Sequence, residues 1–439
     1  MKSKHMIVIS VDAMVFEDLE YAKTLPHFAQ LLEKGSVIER VTSTYPSVTH
    51  TAHATIMTGA VPGRTGVVNN QIFNRADPQN GSAVWYNDLG QLGCESILHA
   101  AKRAGLSTAV STWPMTSHGE NVIDYLVPNA MNGDFVGHED DPLSVYRALG
   151  AQECVMEIIA EGVRRFGWKN VHPAVDEFQS YCAAEILKKF KPDLLLTHPS
   201  YVDSARHRNG VFGAHVEEAL RATDRWLGML FDAAREAGIL ESTDFVLLSD
   251  HGQINISRVI SPNVFLSDAG YLTVDEKGEL SSWRAYAKSA GASAEVYLHD
   301  PDDQALFDEV YAYLSHLAGE GIYGISRVLT AREAKESYGL FGDFSFVLEG
   351  DGYTGFGDQL VRPAVRPFDF SDYRQSKGTH GHTPERGPQP TFVASGPSFA
   401  RDVRVERGNL IHHAPTVARA MGLSLPEADG TAVLEILNL

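Results

Sequence analysis

Cysteine is scarce in this chain. Its 439 residues include three, Cys94, Cys154 and Cys182, far apart and in no Cys-x-x-Cys pair. That scarcity argues against a disulfide framework and against zinc held by thiolates. Long apolar runs are missing as well. The first, residues 6–11, meets a charge at Asp12 and has no small-residue cleavage site after it. It is too short for a secretory leader or a membrane span, and no later stretch approaches the length of about 18 apolar residues that a span needs. Positive charge is in deficit: 37 Lys and Arg stand against 56 Asp and Glu, a net charge of −19. A surface of that sign argues against binding nucleic-acid duplexes or anionic membranes. It leaves room for a small phosphate ester, because bound cations reverse the local potential. The expectation is a soluble, cytoplasmic protein. Its oligomeric state is not written in the sequence.

Apolar material is plentiful, at 44% of residues. The chain exceeds the usual size of one domain, so two domains or one domain with a large insertion are expected. Residues 6–11, Leu194–Thr197 and 245–248 are short, nearly continuous apolar runs. Strands of a parallel sheet covered on both faces read this way, whereas a half-solvated strand alternates. Between the runs lie helical patterns, among them residues 25–32 with Gly35 as a stop and residues 216–237 ended by Gly238. The alternation predicts an α/β fold: a central, mostly parallel sheet sandwiched by helices. Residues 71–180 are rich in Asn, Gly, Trp and Pro and read as irregular. Residues 262–374 read as an inserted cap subdomain with strands at 294–299 and 344–349, carried by a catalytic core of residues 1–261 and 375–439. The glycine-rich stretch 350–357 lacks the Lys-Ser/Thr of a phosphate-binding loop and reads as a surface turn.

Metal-ligand side chains recur at the ends of the strand-like runs. Asp12 ends the first run. Asp203-x-x-x-His207 follows the run at 194–197, and Asp250-His251-Gly252 ends the run at 245–249. His380 lies in Gly378-Thr379-His380-Gly381-His382, and Thr49 in Tyr45-Pro46-Ser47-Val48-Thr49-His50. On a helix, Asp203 and His207 share one face and can chelate one ion. The adjacent Asp250 and His251 suit a loop. Mixed carboxylate and imidazole ligands favour Zn2+, with Mn2+ or Fe behind it. Such groups at strand ends are what a two-metal hydrolase needs, and a hydroxyl between two divalent cations can lose its proton near neutral pH. Thr44, Thr51 and Ser47 rival Thr49 as that hydroxyl.

The joint order of these motifs resembles the alkaline phosphatase superfamily, and more closely its nucleotide pyrophosphatase/phosphodiesterase branch. The resemblance runs from Tyr45-Pro46-Ser47-Val48-Thr49 into Thr58-Gly59-x-x-Pro62-x-x-x-Gly66-Val67-Val68-Asn69-Asn70. It continues through the Asp203, Asp250 and His380 motifs to Pro390-Thr391-Phe392, Ser395-Gly396-Pro397 and Ala414-Pro415-Thr416. It implies two zinc ions per chain, one on Asp203, His207 and His380, the other on Asp12, Asp250 and His251. It implies Thr49 as the nucleophile that touches both ions and forms a phospho-threonine, later hydrolysed by water. It also implies that Asn70, helped by the backbone N–H of His50, binds a non-bridging phosphoryl oxygen; Asn69 competes for that role.

The chain departs from the pattern in two places. His50 stands where the family usually has an aromatic residue, which weakens the case for stacking on a nucleobase, and His382 stands where a Tyr is usual. His50, His53 and His382 read by default as ordinary hydrogen-bonded histidines, and Trp113, Tyr201 and Tyr353 as core residues. His412-His413 reads as a helix cap or a solvated pair. Arg206 and Arg208, flanking His207, read as solvent-facing. The implied activity is cleavage of phosphodiester or pyrophosphate bonds in small, nucleotide-like phosphate esters. A phosphonate hydrolase or phosphomonoesterase on the same scaffold is the first alternative, and an inactive metal-binding module the second. The intact ligand set speaks against the module. A sulfatase is disfavoured, because no Cys/Ser-x-Pro-x-Arg motif surrounds Thr49.

Overall fold

Residue 7 and residue 9 point to one side of a sheet, residues 6 and 8 to the other, and both sides are dry. That is the physical content of the first apolar run. In the computed structural model, which describes residues 4–438, His5–Ser10 (β1) is the inner strand of an eight-stranded sheet. Its partners in chain order are Ser36–Thr42 (β2), Thr108–Ser111 (β3), Tyr125–Val127 (β4), Leu194–Thr197 (β5), Thr243–Leu248 (β6), Phe392–Ser395 (β7) and Arg404–Asn409 (β8). The spatial order is β8-β2-β7-β6-β1-β5-β3-β4. Strand β7 runs antiparallel to both of its neighbours, and every other pairing is parallel.

On one face Ile7, Ile9, Leu195 and Leu247 join an apolar cluster with Phe178, Ile186, Leu227 and Phe231. These last come from the helices Ala174–Phe190 and Ala214–Glu236. On the other face Met6, Val8, Leu196 and Leu248 meet Ile56, Met57, Leu98 and Val417. Each such side chain contributes roughly 1.5–3 kcal/mol by leaving water. Period-two alternation thus feeds two cores at once, which is why the runs look continuous in sequence. The sequence expectations at 25–32 and 216–237 correspond to the helices Pro26–Lys34 and Ala214–Glu236.

The region 71–180 is less irregular than its composition suggested. It supplies β3, β4 and the helices Ile97–Arg103, Glu153–Phe166 and Ala174–Phe190 to the core. Asn, Gly and Pro concentrate in the loops between them, and those loops reach the site described below.

Residues 262–374 build a separate antiparallel sheet from Ala285–Ser289, Ser293–Leu298, Phe346–Gly350 and Ile325–Thr330, in that order. The helix Gln304–Glu320 covers it with Leu306, Val310 and Leu314. The two strands expected in this segment are displaced by one or two residues from their sequence positions. The glycine-rich stretch is only partly a surface turn. Tyr353 at its tip is 66% exposed, so it is not a core residue, but Thr354–Phe356 is a buried strand parallel to Arg258–Ile260. Gly355 is required there: a Cβ would lie 2.7 Å from Ile256 and 2.8 Å from the Arg374 carbonyl. Close backbone approach, not a turn, explains that glycine. No described helix is long and apolar enough to cross a membrane.

Arg206 corrects another expectation. It does not face solvent; it is fully buried. Its guanidinium donates to the carbonyls of Ala13 and Val211 and pairs with Asp18. Asp18 in turn accepts from the N–H of Val15 at 2.8 Å. The pair therefore ties the helix Tyr201–Asn209 to the loop after β1. Arg206→Met is expected to cost about 3–5 kcal/mol, because it leaves the Asp18 carboxylate buried and unpaired. Chemical denaturation at pH 7 checks this; a loss below about 1 kcal/mol would show that the pair is dispensable.

Candidate active site

Parallel strands deliver their next residues to one edge of the sheet, and this edge collects the acids and imidazoles. Asp12 lies two residues beyond β1, its N–H held by the Pro199 carbonyl at 3.0 Å. Asp250 lies two residues beyond β6, and one of its oxygens accepts from the N–H of Ala13 at 3.1 Å. The loop after β5 leads into the helix Tyr201–Asn209, which carries Asp203 and His207 on one face, 3.1 Å apart. His380 follows the short strand Gly378–Thr379, which pairs with Ile254–Asn255 just after His251. Gly381 has a φ of +94°, and a Cβ there would meet the Ala290 carbonyl at 1.8 Å. Only glycine lets the chain turn away immediately after His380.

Two groups of ligand atoms converge. Asp203, His207 and His380 form one, and Asp12, Asp203 and His251 the other, each with all ligand atoms within 4.8 Å of one another. His251 Nε2 is also 3.2 Å from Asp250 and 3.5 Å from Asp12. Asp203 thus stands between the two groups. The protonation pattern fits cation binding. His207 Nδ1 lies 2.7 Å from the Gly378 carbonyl, so it carries the proton and turns the Nε2 lone pair inward. Buried Asp12 Oδ1, Asp250 Oδ2 and His207 Nε2 have no hydrogen-bond partner. Burial, with Asp203 and Asp250 nearby, pushes the Asp12 carboxyl well above its usual range. Burial also works to raise Asp203, but His207, His380 and His251 around it hold it well below. Three carboxylates crowded into a dry site are costly alone and suited to divalent cations.

Thr49 opens the helix Thr49–Thr58, with its hydroxyl 3.2 Å from His251 Nε2. Among its rivals, Thr44 donates to the Pro46 carbonyl and Ser47 to the His382 carbonyl. Thr51 is fully buried, and none of the three lines the cleft that holds Thr49, Asp12, Asn70 and His380. Asn70 lies in that cleft, whereas Asn69 turns away to Glu295 and the Ser289 carbonyl. One expected donor is occupied: the N–H of His50 is bound to Asn70 Oδ1 at 2.9 Å.

The remaining histidines divide by environment. One ring nitrogen of His53 lies 2.7 Å from the Thr49 carbonyl and the other 2.9 Å from the Ser10 hydroxyl. His53 therefore anchors the first helical turn to the end of β1. His50 lines the cleft 5.0 Å from Trp85, with both nitrogens unpartnered, and burial pulls its pKa down to about 3. His382 is buried and does not line the cleft. His412 accepts from Thr431, but His413 is neither cap nor solvated; it is buried against Phe392. Trp113 is fully buried edge-on to His53. Tyr201 is half-buried beside Trp226.

Several cleft residues escaped the sequence reading, His198, Trp85 and Tyr373 among them. His198 directly follows β5, and its Nε2 is 3.3 Å from Asp12. Its position at a strand's carboxyl end was the available signal. Trp85 and Tyr373 also line the cleft. They come from loops distant in sequence, and no motif marks them.

Residues 6–329 match the family model described as type I phosphodiesterase / nucleotide pyrophosphatase. A venom phosphodiesterase of Naja atra is 26% identical over 256 residues, covering 57% of this chain and 26% of that protein. Human ectonucleotide pyrophosphatase/phosphodiesterase family member 1 is 23% identical over 279 residues, covering 61% of this chain and 26% of its own length. The matched stretch is therefore about a quarter of these relatives. Among solved structures, murine ectonucleotide pyrophosphatase/phosphodiesterase 5 superposes with a TM-score of 0.66 at 20% identity, over 99% of this chain and 100% of that one. An inactive variant of the same murine protein, in complex with AMP, superposes at 0.67 with 18% identity over 100% of both chains.

Proposed function

We propose, from the premise that this chain belongs to the type I phosphodiesterase / nucleotide pyrophosphatase family, that it hydrolyses phosphodiester or pyrophosphate bonds through Thr49. The observation that carries the reading is the Thr49 hydroxyl, 3.2 Å from His251 at the edge of a ring of carboxylates and imidazoles. Asp203, His207 and His380 would hold one divalent cation, and Asp12, Asp250 and His251 a second, with zinc the ion their chemistry favours. When bound, such ions would lower the hydroxyl's pKa and neutralise charge on the phosphoryl group.

The chain's own residues then account for two displacements. The Thr49 oxygen forms a bond to phosphorus as the bond to the leaving oxygen breaks, and the threonine proton passes to cleft water. Water next forms the new bond to phosphorus, the Thr49 ester bond breaks, and Thr49 regains a proton. Asn70 holds a non-bridging oxygen with its carboxamide N–H. His53 fixes the turn that aims Thr49.

A nucleotide-like substrate is supported by the AMP complex of the murine relative. Residues 262–374 act as a cap on the core formed by 1–261 and 375–439. The separate sheet of this segment supports that division, as do Phe370, Ser371 and Tyr373 in the cleft wall.

The site favours diesters. A dianionic monoester calls for an Arg clamp on two oxygens. Arg64 is paired with Asp429 at 2.6 Å, and Arg206 is buried on Asp18. Among the described residues Arg208 is the one arginine lining the cleft, and it is not among the hydrogen-bond partners of Asn70. We expect kcat/KM for bis(p-nitrophenyl) phosphate to exceed that for p-nitrophenyl phosphate by about 10-fold or more at equal pH and zinc, a difference of about 1.4 kcal/mol in transition-state binding. A clear excess for the monoester would refute the diesterase reading and leave a threonine phosphomonoesterase.

A further inference from the structure

Asn70 is more tightly committed than a free loop amide. Its Oδ1 accepts from the N–H of His50 at 2.9 Å, which fixes which end of the carboxamide is nitrogen. Its Nδ2 donates to the Tyr373 hydroxyl at 2.9 Å. Its own backbone N–H donates to Asn69 Oδ1 at 2.7 Å, and Asn69 is held by Glu295 at 3.2 Å. Two consequences follow. The His50 N–H is not available to a phosphoryl oxygen. And the Tyr373 oxygen, by accepting from Asn70, has its own O–H left to donate.

That hydroxyl lies where a donor is needed. Tyr373 lines the cleft with Thr49, Asn70 and His380, and its ring stacks on His380 at 5.3 Å and 18°. An ordinary tyrosine hydroxyl carries its proton at neutral pH and can donate it. Its placement is rigid. The short turn Tyr373–Gln375 is pinned by Arg374, which pairs with Asp372 at 2.9 Å and with Asp358 at 2.5 Å. Lys288 of the cap sheet joins Asp358 at 3.1 Å.

We propose that Tyr373 is a catalytic residue: its hydroxyl donates to a non-bridging phosphoryl oxygen beside Asn70, in the place otherwise open to the His50 N–H. The proposal rests on the phosphodiesterase reading above. It makes the end of the cap segment part of the phosphoryl-binding machinery and gives the ion-paired turn behind it a purpose. Loss of one such donor in other hydrolases slows turnover by about 100- to 1,000-fold, and a shared contact is expected to lie near or below the lower figure.

Tyr373→Phe keeps the ring on His380 and removes only the hydroxyl. We expect kcat/KM for bis(p-nitrophenyl) phosphate to fall by about 10- to 100-fold, with unchanged thermal stability. A separate measurement uses the two enantiomers, RP and SP, of methyl p-nitrophenyl phosphorothioate. Sulfur accepts hydrogen bonds poorly, so the native protein should penalise sulfur at the contacted position, and Tyr373→Phe should erase that penalty for one enantiomer. A merely structural tyrosine would leave the ratio of the two enantiomers' rates unchanged, and that result overturns the proposal. Calorimetry in a Thr49→Ala background separates the two readings. If native protein turns over no diester, yet Tyr373→Phe weakens binding of bis(p-nitrophenyl) phosphate about 10-fold (about 1.4 kcal/mol), the phosphodiesterase reading fails and the contact stands. Equal affinity with and without the hydroxyl rejects Tyr373 directly.

Discussion

Thr49→Ala is expected to lower kcat for a phosphodiester by at least about 10,000-fold, since removal of a nucleophile elsewhere has cost about a million-fold. The hydroxyl is the attacking atom of the proposed reaction, and no other hydroxyl among its rivals shares the cleft. Thr44 and Ser47 have their hydroxyl protons on carbonyls, and Thr51 is buried. Metal content should stay nearly native, because the six acid and imidazole ligands remain. Thr49→Ser should recover measurable turnover, since it restores the oxygen at the same helix N-terminus. The check is single-turnover kinetics with acid trapping: a phosphorylated protein should form with native enzyme and be absent from Thr49→Ala. Near-native kcat in the alanine variant would send the search to Thr44 and Thr51.

The second large effect concerns the cations. Dialysis against a chelator is expected to reduce turnover to background, and zinc should restore it. Elemental analysis of fully active protein should give two ions per chain. The reason lies in the buried ligand atoms: Asp12 Oδ1, Asp250 Oδ2 and His207 Nε2 make no hydrogen bond and lie 3.1–3.5 Å from His251 or Asp203. Burying three carboxylates together is unfavourable without compensating charge. Fully active protein with one ion or none would sink the two-metal reading. Asp203, a ligand of the first position that also lies within 4.8 Å of Asp12 and His251, gives a sharper probe. Asp203→Asn should empty the first position and, by removing a nearby negative charge, weaken the second, whereas His380→Ala should empty mainly the first.

The sequence by itself determined three parallel strands of the sheet and marked the acids and imidazoles gathered at their ends. Solid apolar runs at 6–11, 194–197 and 245–248 can only be satisfied between two layers of helix, so their strand character and parallel pairing were legible. Each run ends in a polar residue at the same edge, and Asp203 with His207 needed only a helical turn to meet. Local spacing and burial govern all of these, and both are written in the chain. Tertiary structure decided what depends on contacts between distant segments. Arg206 looks like a surface residue until Asp18, far away in sequence, pairs with it in the interior. The glycine-rich stretch 350–357 looks like a turn until Arg258–Ile260 takes part of it as a strand. His198 becomes a neighbour of Asp12 only because β1 and β5 are adjacent. The N–H of His50 is taken by Asn70, which also donates to the Tyr373 hydroxyl. A hydrogen bond between residues 303 positions apart leaves no periodic trace in sequence, so the partners of Asn70 could only be read once the chain was folded.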